Sequence, residues 1–202
     1  MANTFNNLYA DIYDFQNLFK AYLKARKNKR YNQEVLWFTA NLEENLIQLH
    51  NDLIYKTYEP GRYREFYVHD PKTRLVMAAP FRDRVLHHAI CSVIEPIFDR
   101  TFIEHSFACR KGKGTIAGVE CTVNFLRRAL REHDKIYCFK ADISKYFPSI
   151  NHSILRGIIR KKIRCKDTLW LLDTIIDSTV EPGELNPVGI PIGNLTSQLF
   201  AN

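Results

Sequence analysis

Two short strand-like runs, residues 63–68 and 74–79, stand between long stretches whose apolar residues recur at helical spacing. Asp70, Pro71, Lys72 and Thr73 join them, and Asp-Pro favours a turn, so the pair reads as a β-hairpin. Helices segregated around a few strands place the chain in the α+β class, with a small antiparallel sheet.

The helical stretches are read from their apolar stripes. The first is expected over residues 8–26 and runs into a basic break at 24–30. A second carries Leu42, Leu46, Leu49 and Leu53 at helical spacing and ends by Pro60-Gly61. A third, over residues 82–98, turns Val85, Ala89, Val93, Ile94 and Ile97 to a core, with Pro96 as a kink near its end. Further helices are expected after the basic glycine-rich loop 110–114, with Ile116, Val119, Val123, Leu126 and Leu130 on one stripe, and near 153–163 and 168–177. A long Pro/Gly-rich loop, 181–193, feeds a last helix over 194–200.

A third strand is expected at 136–143. Its alternation puts Tyr137, Phe139, Ala141 and Ile143 on one face and Ile136, Cys138, Lys140 and Asp142 on the other. Asp142 thus stands at a strand end, before a turn and a helix that Asn151 can cap. A carboxylate held there either caps its own turn or fixes a divalent metal. Two-metal phosphoryl transfer needs a second carboxylate. Asp134, Asp167, Asp173 and Asp177 fall on surface turns or helices, none in a hairpin that faces Asp142.

A formal net charge of +7 favours a polyanionic partner. Arg62, Arg64, Lys72, Arg74, Arg82 and Arg84 concentrate that charge around the hairpin. They read either as a solvated basic face or as a clamp on a triphosphate, with Lys72 a mobile point charge and Arg74 a bidentate fork. Phe147, five residues beyond Asp142, is either core or a flat wall against a sugar, able to reject a 2′-hydroxyl. Arg110, Lys111, Gly112, Lys113 and Gly114 lack the Lys-Ser/Thr ending of an ATP-binding loop, which disfavours nucleotide hydrolysis and leaves a backbone contact on nucleic acid. His87 and His88 are adjacent on a helix, face different directions and make a poor metal pair. Five scattered cysteines without a CxxC pair imply free thiols in a reducing cytosol, and no apolar run approaches a bilayer span.

Taken in order, four blocks resemble reverse transcriptases of the bacterial retroelement group. Residues 72–84 (KTRLVMAAPFRDR) look like the family's fingers motif, 106–115 (SFACRKGKGT) like its template-contacting motif, 139–150 (FKADISKYFPSI) like palm motif A, and 189–198 (GIPIGNLTSQ) like motif B. The resemblance implies an RNA-directed DNA polymerase with right-hand architecture. Residues 1–60 would be an amino-terminal helical extension, 61–135 fingers and 136–202 a partial palm.

It implies that Asp142 and the backbone carbonyl of Ile143 hold catalytic magnesium ions at a two-metal site. Lys72 and Arg74 would hold the deoxynucleoside triphosphate, and Phe147 would discriminate the sugar. Ile192 and Gly193 would pack beneath the templating pair, and residues 110–114 would touch the template. An RNA template and a DNA primer are the implied partners. Many related polymerases carry Pro-Gln-Gly and Ser-Pro in motif B. Pro191-Ile192-Gly193 and Ser197-Gln198 stand here instead and resemble the enzymes of diversity-generating retroelements, as does the amino-terminal segment 17–30. Those enzymes copy a template RNA into mutated cDNA, with a small accessory protein. The family's Tyr/Phe-x-Asp-Asp hairpin and thumb have no counterpart in the 202 residues, so the implied chain is catalytically incomplete. Two alternatives stay open: a defence-type (abortive-infection) reverse transcriptase, and a nucleic-acid-binding module without catalysis.

Overall fold

Asp14 divides the first expected helix in two. In a computed structural model that describes residues 4–69, 72–180 and 183–202, its backbone leaves the helical region and its carboxylate accepts the Asn17 N–H at 2.9 Å. Helix α1 (Tyr9–Tyr13) therefore stops and α2 (Phe15–Ala25) starts from a proper cap. The Asn17 amide fastens the corner, donating to the carbonyls of Asp11, Ile12 and Ala89.

After the basic break a helix that the apolar spacing did not announce, α3 (Gln33–Ala40), is capped by Asn32, whose side chain accepts from Glu34 N. The expected leucine helix is α4 (Leu42–Ile54), with Leu46, Leu49 and Leu53 buried. Strands β1 (Arg64–Val68) and β2 (Arg74–Ala78) pair antiparallel, Phe66 opposite Val76. Their Asp70-Pro71 turn lies outside the described residues.

Helix α5 (Phe81–Asp99) is the centre of the molecule. It packs against α2 and against the late helix α9 (Leu195–Phe200), and Val85, Leu86, Ala89, Ile90 and Ile94 are fully buried on it. Pro96 falls in its last turn, where little of the helix remains to be broken. One apolar cluster runs from Tyr9 through α4 and α5 to α7 (His152–Arg160) and α8 (Lys166–Ile176). As expected, Asn151 caps α7, accepting from Ile154 N at 3.1 Å.

One expectation holds and the next fails. Helix α6 (Thr115–Glu132) forms on the expected stripe but buries none of it, and Ile116, Val119, Phe125 and Leu130 are all more than half exposed. The strand expected at 136–143 is absent, and its chain runs irregularly with Tyr137 and Phe139 each 93% exposed. A strand is stable only when a neighbour completes its backbone hydrogen bonds. Among the described residues the one sheet is β1–β2, and 136–143 pairs with neither of its strands. The α+β class holds, with a two-stranded sheet. No helix among the described residues is long and apolar enough to cross a membrane.

Candidate functional site

The loop after α8 is stitched to two neighbours. On one side Ile190 N donates to the Phe147 carbonyl at 3.1 Å, and Gly189 N to that of Ile150 at 2.8 Å. On the other, Met77 N on β2 donates to the Ile192 carbonyl at 2.9 Å. Glycine is required at both crossings. At Gly189 (φ +94) a Cβ would lie 3.2 Å from the Pro148 carbonyl oxygen, and at Gly193 (φ +126) 3.1 Å from that of Met77.

Two buried polar groups brace this frame. His152 is fully buried; its Nε2 donates to the Gly189 carbonyl at 2.7 Å, and its Nδ1 lies 3.2 Å from Asp177 Oδ1. Asn194, at the start of α9, makes no side-chain cap bond. Its amide instead donates to the Tyr63 hydroxyl at 2.8 Å, which also meets Ser178 Oγ at 2.9 Å. Desolvation raises the Tyr63 pKa, so the phenol stays protonated within this network.

Between the loop, the hairpin and the turn after residue 143 lies a cavity of about 990 Å³. Lys72, Arg74, Asp142, Phe147 and Ile192 all line it, brought together from three separated parts of the chain. The cations stand on the hairpin, and Phe147 is half-buried with its ring edge-on to Tyr146, centroids 5.7 Å apart. With Lys145 also on the wall, the basic side chains outnumber the single carboxylate, a balance that attracts a polyanion. Gly193, next in sequence to Ile192, packs on Met77 and Val76 outside this cavity.

The basic loop lies elsewhere. Arg110 is turned inward: Nε donates to Asp99 Oδ1 at 2.7 Å, and the guanidinium reaches the carbonyls of Asp99, Ile103 and Ser106 while lying over Phe102. The same hydrogen bond holds the Asp99 pKa below its usual range. Lys113 donates to the Glu104 carbonyl at 2.7 Å. Gly112 and Gly114 take positive φ with open space about them. Arg110 therefore organises its own loop, and Lys111 is left exposed at the rim.

Three of the four aspartates weighed as partners for Asp142 are engaged in ion pairs: Asp173 with Arg156 and Arg160, Asp177 with Arg156, and Asp167 with Lys56. No group of three or more His, Cys, Asp or Glu among the described residues is placed to hold a metal. Asp142 with the Ile143 carbonyl is one carboxylate, too few donors for a two-metal magnesium centre. His87 is buried on α5, and burial lowers its pKa to about 3.

Sequence reasoning missed His152, whose partners lie 25 and 37 residues away, and the Tyr63–Asn194 bond across 131 residues. Neither has a local signal. Gly189 carried one, as the glycine that opens the block 189–198.

No family model matches the chain. It is 24% identical over 172 residues to Protein YkfC of Escherichia coli (strain K12), covering 81% of this chain and 44% of that protein. It is 23% identical over 164 residues to Nuclear intron maturase 2, mitochondrial, of Arabidopsis thaliana, covering 70% of this chain and 21% of that protein. The chain thus spans less than half the length of the curated relatives it matches.

Proposed function

We propose that the chain is the fingers and half-palm of a reverse transcriptase, and that the 990 Å³ cavity receives the incoming deoxynucleoside triphosphate. The observation that carries this reading is the convergence of Lys72, Arg74, Asp142, Phe147 and Ile192 on one cavity. The distant similarity to an intron maturase, a reverse-transcriptase-related protein, supports it. Lys72 and Arg74 would neutralise the triphosphate, Arg74 by a bidentate fork. Phe147, fixed by the Ile190–Phe147 backbone bond, would press on the sugar. Ile192 and Gly193 would lie beneath the templating pair, RNA template and DNA primer would be the bound strands, and Lys111 with the two loop glycines would touch the template.

Magnesium-dependent nucleotidyl transfer would belong to a complete site with further carboxylates, so these residues alone are expected to bind nucleotide and not to polymerise. Within the family we favour an error-prone enzyme of a diversity-generating retroelement, working with a small accessory protein. Ile192-Gly193 and Ser197-Gln198 support that choice, since an apolar Ile192 offers the nascent pair fewer directional contacts than an amide. The single carboxylate also favours a second reading, a nucleic-acid-binding module without chemistry.

Equilibrium binding of matched deoxy- and ribonucleoside triphosphates tests the first reading. Deoxynucleotide should bind better. Arg74→Ala should weaken both by roughly tenfold, one charge-assisted contact's worth. Phe147→Ala should narrow the gap between the two sugars. Nucleotide affinity indifferent to both substitutions, with RNA affinity retained, would leave the binding module.

A further inference from the structure

Where Ile192 lines the large cavity, its neighbour Gly193 lines a second and smaller one of about 160 Å³. Lys29, Arg84, His87, His88 and Gln198 supply its polar wall, and no carboxylate lines it. The two cavities share no lining residue. This volume is below the roughly 300–1,000 Å³ of pockets that enclose drug-sized ligands. It suits one small group rather than a whole nucleotide.

The wall is built and under-satisfied. Arg84 pairs with Glu34 through one terminal nitrogen and lies over the Phe81 ring, but its Nε is buried without a partner. His87 is 1% exposed, and its Nδ1 is likewise buried and unpartnered. Buried polar atoms are nearly always satisfied, so two orphans at one cavity point to an occupant. The local potential is positive: burial together with Lys24 and Lys29 depresses the His88 pKa. The carboxylate next to the wall, Glu34, is already engaged by Arg84.

We propose that this cavity binds a single phosphate group, neutralised by Lys29 and Arg84 and hydrogen-bonded by His87, His88 and Gln198. The group is either a linkage in a nucleic-acid backbone or a free inorganic anion, and the recognition chemistry is the same for both. The inference goes beyond the nucleotide site and does not depend on it.

The test uses the whole 202-residue chain. Imidazole resonances of His87 and His88 are followed by long-range proton–nitrogen correlation at constant ionic strength set with chloride. Three probes are titrated: inorganic phosphate, a short single-stranded RNA without terminal phosphates, and the same RNA with uncharged methylphosphonate linkages. Phosphate or the charged RNA should shift both histidines, and the uncharged RNA should not. Lys29 is exposed, so Lys29→Gln should preserve the fold while weakening binding by roughly tenfold, as loss of one charge-assisted contact does. Lys20→Gln, an exposed change on α2, should leave binding unchanged. A response to inorganic phosphate alone supports the free anion, and a response to charged RNA alone supports the backbone linkage. No response to either, or equal binding by Lys29→Gln and wild type, overturns the proposal.

Discussion

Gly193→Ala is the sharpest test of how the loop is held against the hairpin. At φ +126 the position lies where side-chain-bearing residues rarely go, a cost of about 1–3 kcal/mol. The new Cβ would also sit 3.1 Å from the Met77 carbonyl oxygen and 3.3 Å from Val76 Cγ1. The first neighbour is backbone, so the loop must retreat and stretch the Met77–Ile192 hydrogen bond, worth about 1 kcal/mol net. Together these predict a loss of about 2–4 kcal/mol. Gly112→Ala separates the two contributions. Its φ is +73 with nothing within 4 Å of the new Cβ, so only conformational strain of about 1–2 kcal/mol applies. Urea unfolding of both variants, with unchanged m-values, gives the comparison. Equal losses in the two would refute the close approach of loop and strand.

Acid should destabilise the protein through His87. Its folded pKa, about 3, lies below the unfolded value near 6.5, so only the unfolded state takes up this proton between those limits. Stability is therefore full above pH 6.5 and falls by about 1.4 kcal/mol per pH unit below it, and His87→Leu should remove that slope in urea melts at pH 7, 6 and 5. Arg110→Ala should open the loop that its guanidinium ties to Asp99, Ile103 and Ser106, giving faster chymotryptic cleavage at Phe107 and an unchanged melting midpoint of the α2–α5 core; equal cleavage rates would contradict the clamp. Amide exchange across residues 136–143 should be fast, because no ladder protects them, and protection matching that of α5 would refute the irregular chain.

The hairpin, the buried face of α5 and the Asn151 cap were legible because each depends on neighbours a few residues away. The break at Asp14 and the separate helix α3 turn on single side-chain caps, which compete with apolar spacing and here win. The strand at 136–143 was read from alternation that is present, but alternation describes a face, not a partner, and the partner decides whether a strand forms. The candidate site shows both sides of this. Its lining residues stand in local patterns that the sequence displays, whereas the His152 and Tyr63–Asn194 braces beside it depend on contacts with no sequence trace.

The site is consequently rigid in one half. Phe147 and Ile192 are fixed by backbone bonds to the loop and to β2, while Asp142 sits in a stretch with no ladder of its own. This asymmetry separates two roles that a complete polymerase site would merge. If the cavity takes a triphosphate as proposed, then with divalent cations chelated Asp142 can only repel a ligand drawn in by Lys72 and Arg74. It is exposed, so the repulsion is small, of the order of the 0.2–1 kcal/mol typical of surface charge pairs. Asp142→Asn should therefore leave metal-free nucleotide binding intact or strengthen it by up to about fivefold, whereas Lys72→Ala and Arg74→Ala should weaken it. Calorimetric titration in chelator measures all three. Weaker metal-free binding by Asp142→Asn would mean that the carboxylate holds the cavity together, and its place would then be structural rather than that of a metal ligand.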